Sequence, residues 1–91
     1  MNLTGKEKRE LRSLGNQLKP EIWIGKEGIS GGSLLSLENS FRTKELVKVK
    51  IQESCELSKE KVAETLSDRV KCEIVQIIGN TVLLYRPLPG E

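Results

Sequence analysis

The chain has 91 residues, 36% of them hydrophobic and 31% charged, with a formal net charge of +2. That is the composition of one folded domain, too short for a second core and too apolar for a disordered chain. No histidine is present, which removes the commonest acid–base group near neutral pH and a principal metal ligand.

Residues 1–9 carry charge with no apolar run behind it. The longest apolar stretches, such as Ile77-Ile78 and Val82-Leu83-Leu84, are far too short to span a bilayer. The expectation is a cytoplasmic protein with no membrane partner. Residues 1–50 hold ten Lys/Arg against six Glu, and residues 51–91 hold five against seven Asp/Glu. The first half is therefore cationic, which is the pattern of a single basic surface.

In chain order, Thr4-Gly5-Lys6-Glu7 matches a capping box and starts a first helix. Leu11, Leu14 and Leu18 follow at i, i+3 and i+7 and predict one buried stripe. Lys8, Arg12 and Lys19 fall on a neighbouring face, flanked by Arg9. Pro20 is the expected stop. Strand one is predicted at Glu21–Ile24, followed by Gly25-Lys26-Glu27-Gly28.

A second helix is capped by Ser30, with Ile29 and Leu34 as a hydrophobic staple and Leu34, Leu37 and Phe41 as its buried stripe. Strand two is Leu46–Ile51. Its two-residue period puts Val47, Val49 and Ile51 on one face and Lys48 and Lys50 on the other. A third helix is capped by Ser58, with Leu57 and Val62 as staple and Val62, Ala63, Leu66 and Val70 as stripe.

Residues 73–78 and 81–86 flank Gly79-Asn80, a two-residue hairpin signal. Alternation puts Val75, Ile77, Val82 and Leu84 on one face of the hairpin and Ile74, Ile78, Leu83 and Tyr85 on the other. The predicted class is α/β, an α+β sandwich of order α-β-α-β-α-β-β. Its four-stranded mixed sheet ends in the C-terminal antiparallel hairpin. Strand–helix–strand units predict parallel pairs. Helices two and three belong on one face, with helix one available to cover part of the other. Residues 1–87 form the single domain, and 88–91 are expected to be a short flexible tail.

Little in this chain points to catalysis. The only aspartate is Asp68, the glutamates are scattered, and Ser30 and Ser58 are explained as caps. Cys55 and Cys72 are not spaced as a metal-binding pair. They read as small apolar residues, a disulfide between them being disfavoured in a reducing compartment. No enzyme, no cofactor, no metal and no small-molecule substrate are expected.

The feature with positive content is Gly25-Lys26-Glu27-Gly28, placed between a strand and a helix. Glycines let a backbone approach a ligand, and the helix head offers free amides and partial positive charge. Together these favour a phosphate, and a GxxG loop before a helix is how KH domains clamp a nucleic-acid backbone. The bare pattern also occurs in ordinary turns. The basic face of helix one, taken alone, reads as a solvated surface, and Lys48 and Lys50 are similar. Trp23 and Tyr85 are read first as core residues, with base stacking as the alternative.

Ordered motifs along nearly the whole chain carry a resemblance. They are Leu3-Thr4-Gly5-Lys6, Leu11-Arg12-Ser13-Leu14, Leu18-Lys19-Pro20, Ile24-Gly25-Lys26-Glu27-Gly28-Ile29, Glu45 to Lys50, and Val75 to Pro87. The chain resembles the CRM domain family, and within it the stand-alone YhbY-like proteins. That resemblance implies a fold similar to the C-terminal domain of translation initiation factor three. It also implies RNA binding through the GxxG loop, here Gly25, Lys26, Glu27 and Gly28, and adjacent basic residues. It further implies association with the large-subunit ribosomal precursor.

The expected site is thus the loop with Lys8, Arg9, Arg12 and Lys19, if helix one lies beside it, and with Lys48 and Lys50. The expected protein is a monomer that binds ribosomal RNA. The alternative is a protein-interaction module that docks on a ribosomal protein or assembly factor.

Overall fold

A computed structural model describes residues 3–88. The elements are α1 (Gly5–Gly15), β1 (Ile22–Ile24), α2 (Gly31–Ser40), β2 (Leu46–Ile51), α3 (Lys59–Val70), β3 (Glu73–Ile78) and β4 (Thr81–Tyr85). This is the predicted order, with a four-stranded mixed sheet.

Hydroxyl caps start all three helices. Thr4 Oγ1 accepts from the Glu7 amide at 3.1 Å, and the Glu7 carboxylate accepts from the Thr4 amide at 3.0 Å. Those bonds to Thr4 hold the Glu7 carboxyl below its ordinary value. Ser30 and Ser58 accept from the amides of Ser33 and Lys61 in the same way. Each cap satisfies a first-turn donor that has no intrahelical partner.

Helix α1 stops earlier than the sequence predicts. It ends at Gly15, not at Pro20, and the chain then tightens through Gln17 N–H to Leu14 C=O and Leu18 N–H to Gly15 C=O. Gly15 and Asn16 are poor helix formers, and Asn16 is the C-cap. Gly15 is buried against Leu83, and a Cβ there would sit 3.0 Å from Leu83 Cδ1. Leu18 and Lys19 therefore lie off the helix, which undoes both the apolar stripe and the basic face drawn through them. Leu11 is half-buried, while Leu14 is 57% and Leu18 38% exposed.

The strand order is β1-β2-β4-β3. β1 and β2 are parallel neighbours across α2, as predicted, with Ile22 opposite Val49 and Ile24 opposite Ile51. β2 and β3 run parallel but do not pair, because β4 lies between them and is antiparallel to both. The central slot buries both faces of a strand. β4 suits it, since Val82, Leu83 and Leu84 are all buried, whereas β3 carries Glu73 and Gln76 to an edge.

A bulge corrects the predicted hairpin faces. Ile74 pairs with Leu84 and Gln76 with Leu83, so Val75 is the extra residue. Ile74 and Ile77 pack on the main core with Val82 and Leu84, while Val75 is buried outside that cluster. Simple alternation assigns Ile74 and Val75 the opposite way, because one inserted residue reverses the pleat on one side of it.

Helices α2 and α3 pack on one sheet face, around fully buried Leu37, Phe41, Val47, Val49, Leu66 and Leu84. Arg86 closes this layer. Its guanidinium lies 5.1 Å over the Phe41 ring, donates to the Val70 carbonyl at 3.0 Å and pairs with Glu38. The hydrogen bond from Arg86 holds the Glu38 carboxyl below its ordinary value. α1 packs on β2 and β3 across the opposite face. Of the tail 88–91, residues 89–91 lie outside the described residues. The Leu88 amide reaches the Glu45 carboxylate at 3.4 Å.

Both cysteines are free thiols, Cys72 buried in the core and Cys55 half-buried against it. Burial pushes the Cys72 thiol up from 9.0 to about 12. An acid raised in this direction contributes stability that is complete below pH 9 and is lost as pH rises toward 12. In native protein, maleimide is expected to modify Cys55 and to reach Cys72 only on unfolding. Equal native rates would contradict this packing.

Candidate nucleic-acid interface

The loop 25–28 leaves β1 at an outer strand of the sheet. A Gly28 N–H to Gly25 C=O bond of 2.8 Å closes it into a tight turn, with Lys26 and Glu27 exposed at the tip. Gly28 sits at φ +71°, a left-handed conformation that costs an L side chain about 1 kcal/mol or more. Gly25 lies flush against the Gln52 side chain, so a Cβ would collide with it. Two residues on, Ser30 caps α2. With the Ser33 and Leu34 amides taken by Ser30, the exposed Gly31 and Gly32 present the remaining first-turn amides. No acidic residue stands in that first turn, unlike α1 with Glu7 and α3 with Glu60.

The two sides of the loop differ in charge. On the α3 side a shallow pocket is lined by Lys26, Glu27, Glu56, Leu57 and Thr65 among others. Two carboxylates against one lysine make that side poor for an anion. The outer sheet face is different. Strand register sets Trp23, Lys50, Thr81 and Ile78 side by side across all four strands, and Lys48, Leu83 and Gln76 in the row behind. The first row carries no carboxylate; beside the second, Glu21, whose amide donates to the Lys48 carbonyl, holds its carboxylate on Lys44.

The alternation predicted for β2 holds. Val47, Val49 and Ile51 are buried, Lys48 is half-buried and Lys50 is exposed. Lys48 Nζ donates to the Leu18 carbonyl at 3.2 Å and so ties the α1–β1 connection to the sheet. Lys19 follows directly in that connection and is exposed. Lys8 and Arg12 are half-buried and Arg9 is exposed on α1. Because α1 packs on β2 and β3, across the sheet from α2, it does not lie beside the loop. Trp23, opposite Lys50, leads through Ile24 into the loop, and both lie on the outer face that α1 shares. The salt bridges among the described residues use Lys44, Lys71 and Arg86. They engage none of Lys8, Arg9, Arg12, Lys19, Lys26, Lys48 and Lys50.

Trp23 is the residue that the sequence reading misplaced. It is 55% exposed, not in the core. The signal was available, since Ile22 and Ile24 both point inward and a two-residue period sends the side chain between them outward. Tyr85 is half-buried near the end of β4, and burial raises its phenol above its ordinary value. Among the described residues there is no group of His, Cys, Asp and Glu that could hold a metal ion. None of the helices described is long and apolar enough to cross a membrane.

Comparison with known proteins adds to this geometry. The CRS1 / YhbY (CRM) domain matches residues 3–86. The sequence is 39% identical over 84 residues to the "Probable RNA-binding protein YqeI" of Bacillus subtilis, covering 92% of this chain and 88% of that one. It is 36% identical over 90 residues to the "Probable RNA-binding protein MJ0652" of Methanocaldococcus jannaschii, covering 97% of this chain and 66% of the archaeal one. The fold is similar to the solution structure of the Staphylococcus aureus protein SAV1595, with a TM-score of 0.83 and 37% identity over 98% of this chain and 93% of that one.

Proposed function

The chain belongs to the CRS1 / YhbY (CRM) domain family, and from that premise we propose that it is a non-catalytic, cytoplasmic RNA-binding protein acting as a monomer in ribosome assembly. Its RNA is that of the large-subunit precursor. RNA binding is supported by the names of the Bacillus and Methanocaldococcus relatives. The ribosomal target rests on the resemblance to stand-alone YhbY-like proteins.

The observation that carries the RNA reading is that β1 leads from Trp23, beside Lys50 on the outer sheet face, directly into the loop. Lys26 and the free amides of Gly31 and Gly32 stand beyond the end of β1, and Lys50 and Lys48 stand on the outer sheet face, Lys50 opposite Trp23. A backbone phosphate at the loop and helix head gains hydrogen bonds from the amides and charge neutralisation from Lys26. Lys50, Lys48 and Lys19 extend the contact across the sheet, and Lys8, Arg9 and Arg12 offer a second patch on α1. Such binding is salt-dependent, and RNA shape supplies the selectivity.

The test is fluorescence anisotropy of a structured ribosomal RNA fragment across a salt series, with wild type and Lys26→Asp. The variant is expected to bind about tenfold more weakly at 0.1 M salt, with a slope shallower by about 0.7. Equal binding by both proteins would remove the loop from the site.

One observation favours a second reading, in which the domain docks on a protein. Leu11, Leu14, Leu18 and Leu46 line a groove whose Leu14 and Leu18 are exposed, and open apolar grooves are features of protein contacts. Nuclease treatment of an extract separates the readings. It releases an RNA binder from large particles and leaves a protein-docked one in place.

A further inference from the structure

We infer that the row Trp23–Lys50–Thr81–Ile78 is a platform for one unpaired nucleobase of the RNA whose backbone lies on loop 25–28. Trp23 stacks on the base and Lys50 meets the adjoining phosphate. This rests on the RNA reading and deepens it, because it names the form of RNA bound: a single-stranded segment rather than a duplex.

Placement is the first support. Trp23 stands one residue before Ile24, which leads directly into the loop, and its Cα partner on β2 is Lys50. Neighbouring strands lie about 4.8 Å apart, so the indole and the ammonium stem leave the sheet side by side. Trp23 is 55% exposed and Ile78, at the far end of the row, is 59% exposed. α1 meets the sheet at Leu83, in the row behind. A monomer normally exposes large apolar side chains singly. Here two of them bracket a lysine and a threonine in one cross-strand line.

Charge complementarity selects the occupant. The row carries Lys50 and no carboxylate, with Lys48 behind it and the nearby Glu21 carboxylate neutralised by Lys44. An anionic partner with a flat aromatic part fits that surface, and a nucleotide has both. Beside the row, a cavity of about 120 Å³ is lined by Asn16, Lys48, Gln76, Ile78, Thr81 and Leu83. Its two amides and hydroxyl can donate to and accept from a base edge. A base held in a duplex cannot lie flat on an indole, so the segment must be unpaired.

Trp23 is the only tryptophan, so its emission reports the contact directly. The probes are a single-stranded RNA octamer and a fully paired hairpin, each followed by tryptophan fluorescence and by anisotropy of a labelled strand. The octamer is expected to quench Trp23, and the hairpin is not. Trp23→Ala is expected to lose about tenfold in octamer affinity, the order found for removing one base–aromatic stack, with hairpin affinity unchanged. Trp23→Phe should recover most of the loss.

If the octamer binds by anisotropy, leaves Trp23 emission unchanged and binds Trp23→Ala as tightly as wild type, the platform is wrong and the RNA reading stands. If neither RNA binds, both fall. Circular dichroism establishes that Trp23→Ala is folded. Should it not be, quenching in wild type and the affinity of Trp23→Phe decide the matter.

Discussion

Phe41→Ala is expected to cost about 3–5 kcal/mol of folding stability, the largest single loss available to this domain. Phe41 is fully buried, so truncation forfeits the transfer energy of the ring and leaves a cavity between α2 and the sheet. It also strands Arg86, whose guanidinium lies 5.1 Å over that ring. A domain of this size has about 5–13 kcal/mol in total, so the variant gives up about a quarter of it or more. The midpoint of thermal unfolding should fall by about 15–30 °C.

Leu35 is the internal contrast. It lies within α2, whose C-cap is Phe41, but is 60% exposed, and Leu35→Ala should change stability by less than about 0.5 kcal/mol. Thermal melts of the two variants followed by circular dichroism test the rotation of α2 about its axis. Similar losses from both would mean that the helix is packed on a different face.

The second large effect is on affinity. The double variant Lys26→Ala, Lys50→Ala is expected to bind RNA about 25-fold more weakly at 0.1 M salt. Each phosphate contact on single-stranded nucleic acid contributes a salt slope of about 0.7. Over the decade between 1 M and 0.1 M that is about fivefold per contact. The logarithmic slope should fall by about 1.4, and the two curves should converge near 1 M.

Neither lysine is in a salt bridge among the described residues, and both are exposed, so folding stability should change little. The control is Lys59→Ala, Lys61→Ala, two cations in the first turn of α3, where Glu60 and Glu64 are neighbours. It is expected to keep most of its affinity. If the control loses as much as the test variant, binding depends on net charge alone and the loop–sheet surface has no special part.

Local chemistry was readable from the sequence because its causes are local. A hydroxyl residue just ahead of an apolar run of helical period marks a cap, and Thr4, Ser30 and Ser58 start the helices as expected. The two-residue period of β2 separates valines from lysines without help from the rest of the chain. Gly79-Asn80 turns the hairpin because Gly79 accepts φ +56°. The GxxG loop is legible for the same reason, its Gly28 occupying a backbone region that other residues avoid.

Two misplacements had local signals: the two-residue period that sends Trp23 outward, and the weak helix formers Gly15-Asn16 where α1 ends. The others depended on neighbours distant in the chain. The bulge at Val75 is set by pairing with β4, and it exchanges the faces of Ile74 and Val75. The position of β4 between β2 and β3 follows from which strand gains most by burying both faces, a comparison among strands.

The site divides along the same line. The loop, its lysine and the two lysines of β2 were named from the sequence. Their company was not. Only the sheet register shows that Trp23 and Lys50 stand together, and only the packing of α1 on β2 and β3 separates the helix-one cations from the loop. The sequence by itself determined the class, the order of elements, the caps and turns, and which residues carry charge. Backbone preference and hydrophobic period act within a few residues, so they need no partner. The tertiary structure decided how the strands are ordered, where the bulge falls, and that Trp23 stands beside Lys50. Those outcomes depend on burial and register between segments tens of residues apart, which no local pattern encodes.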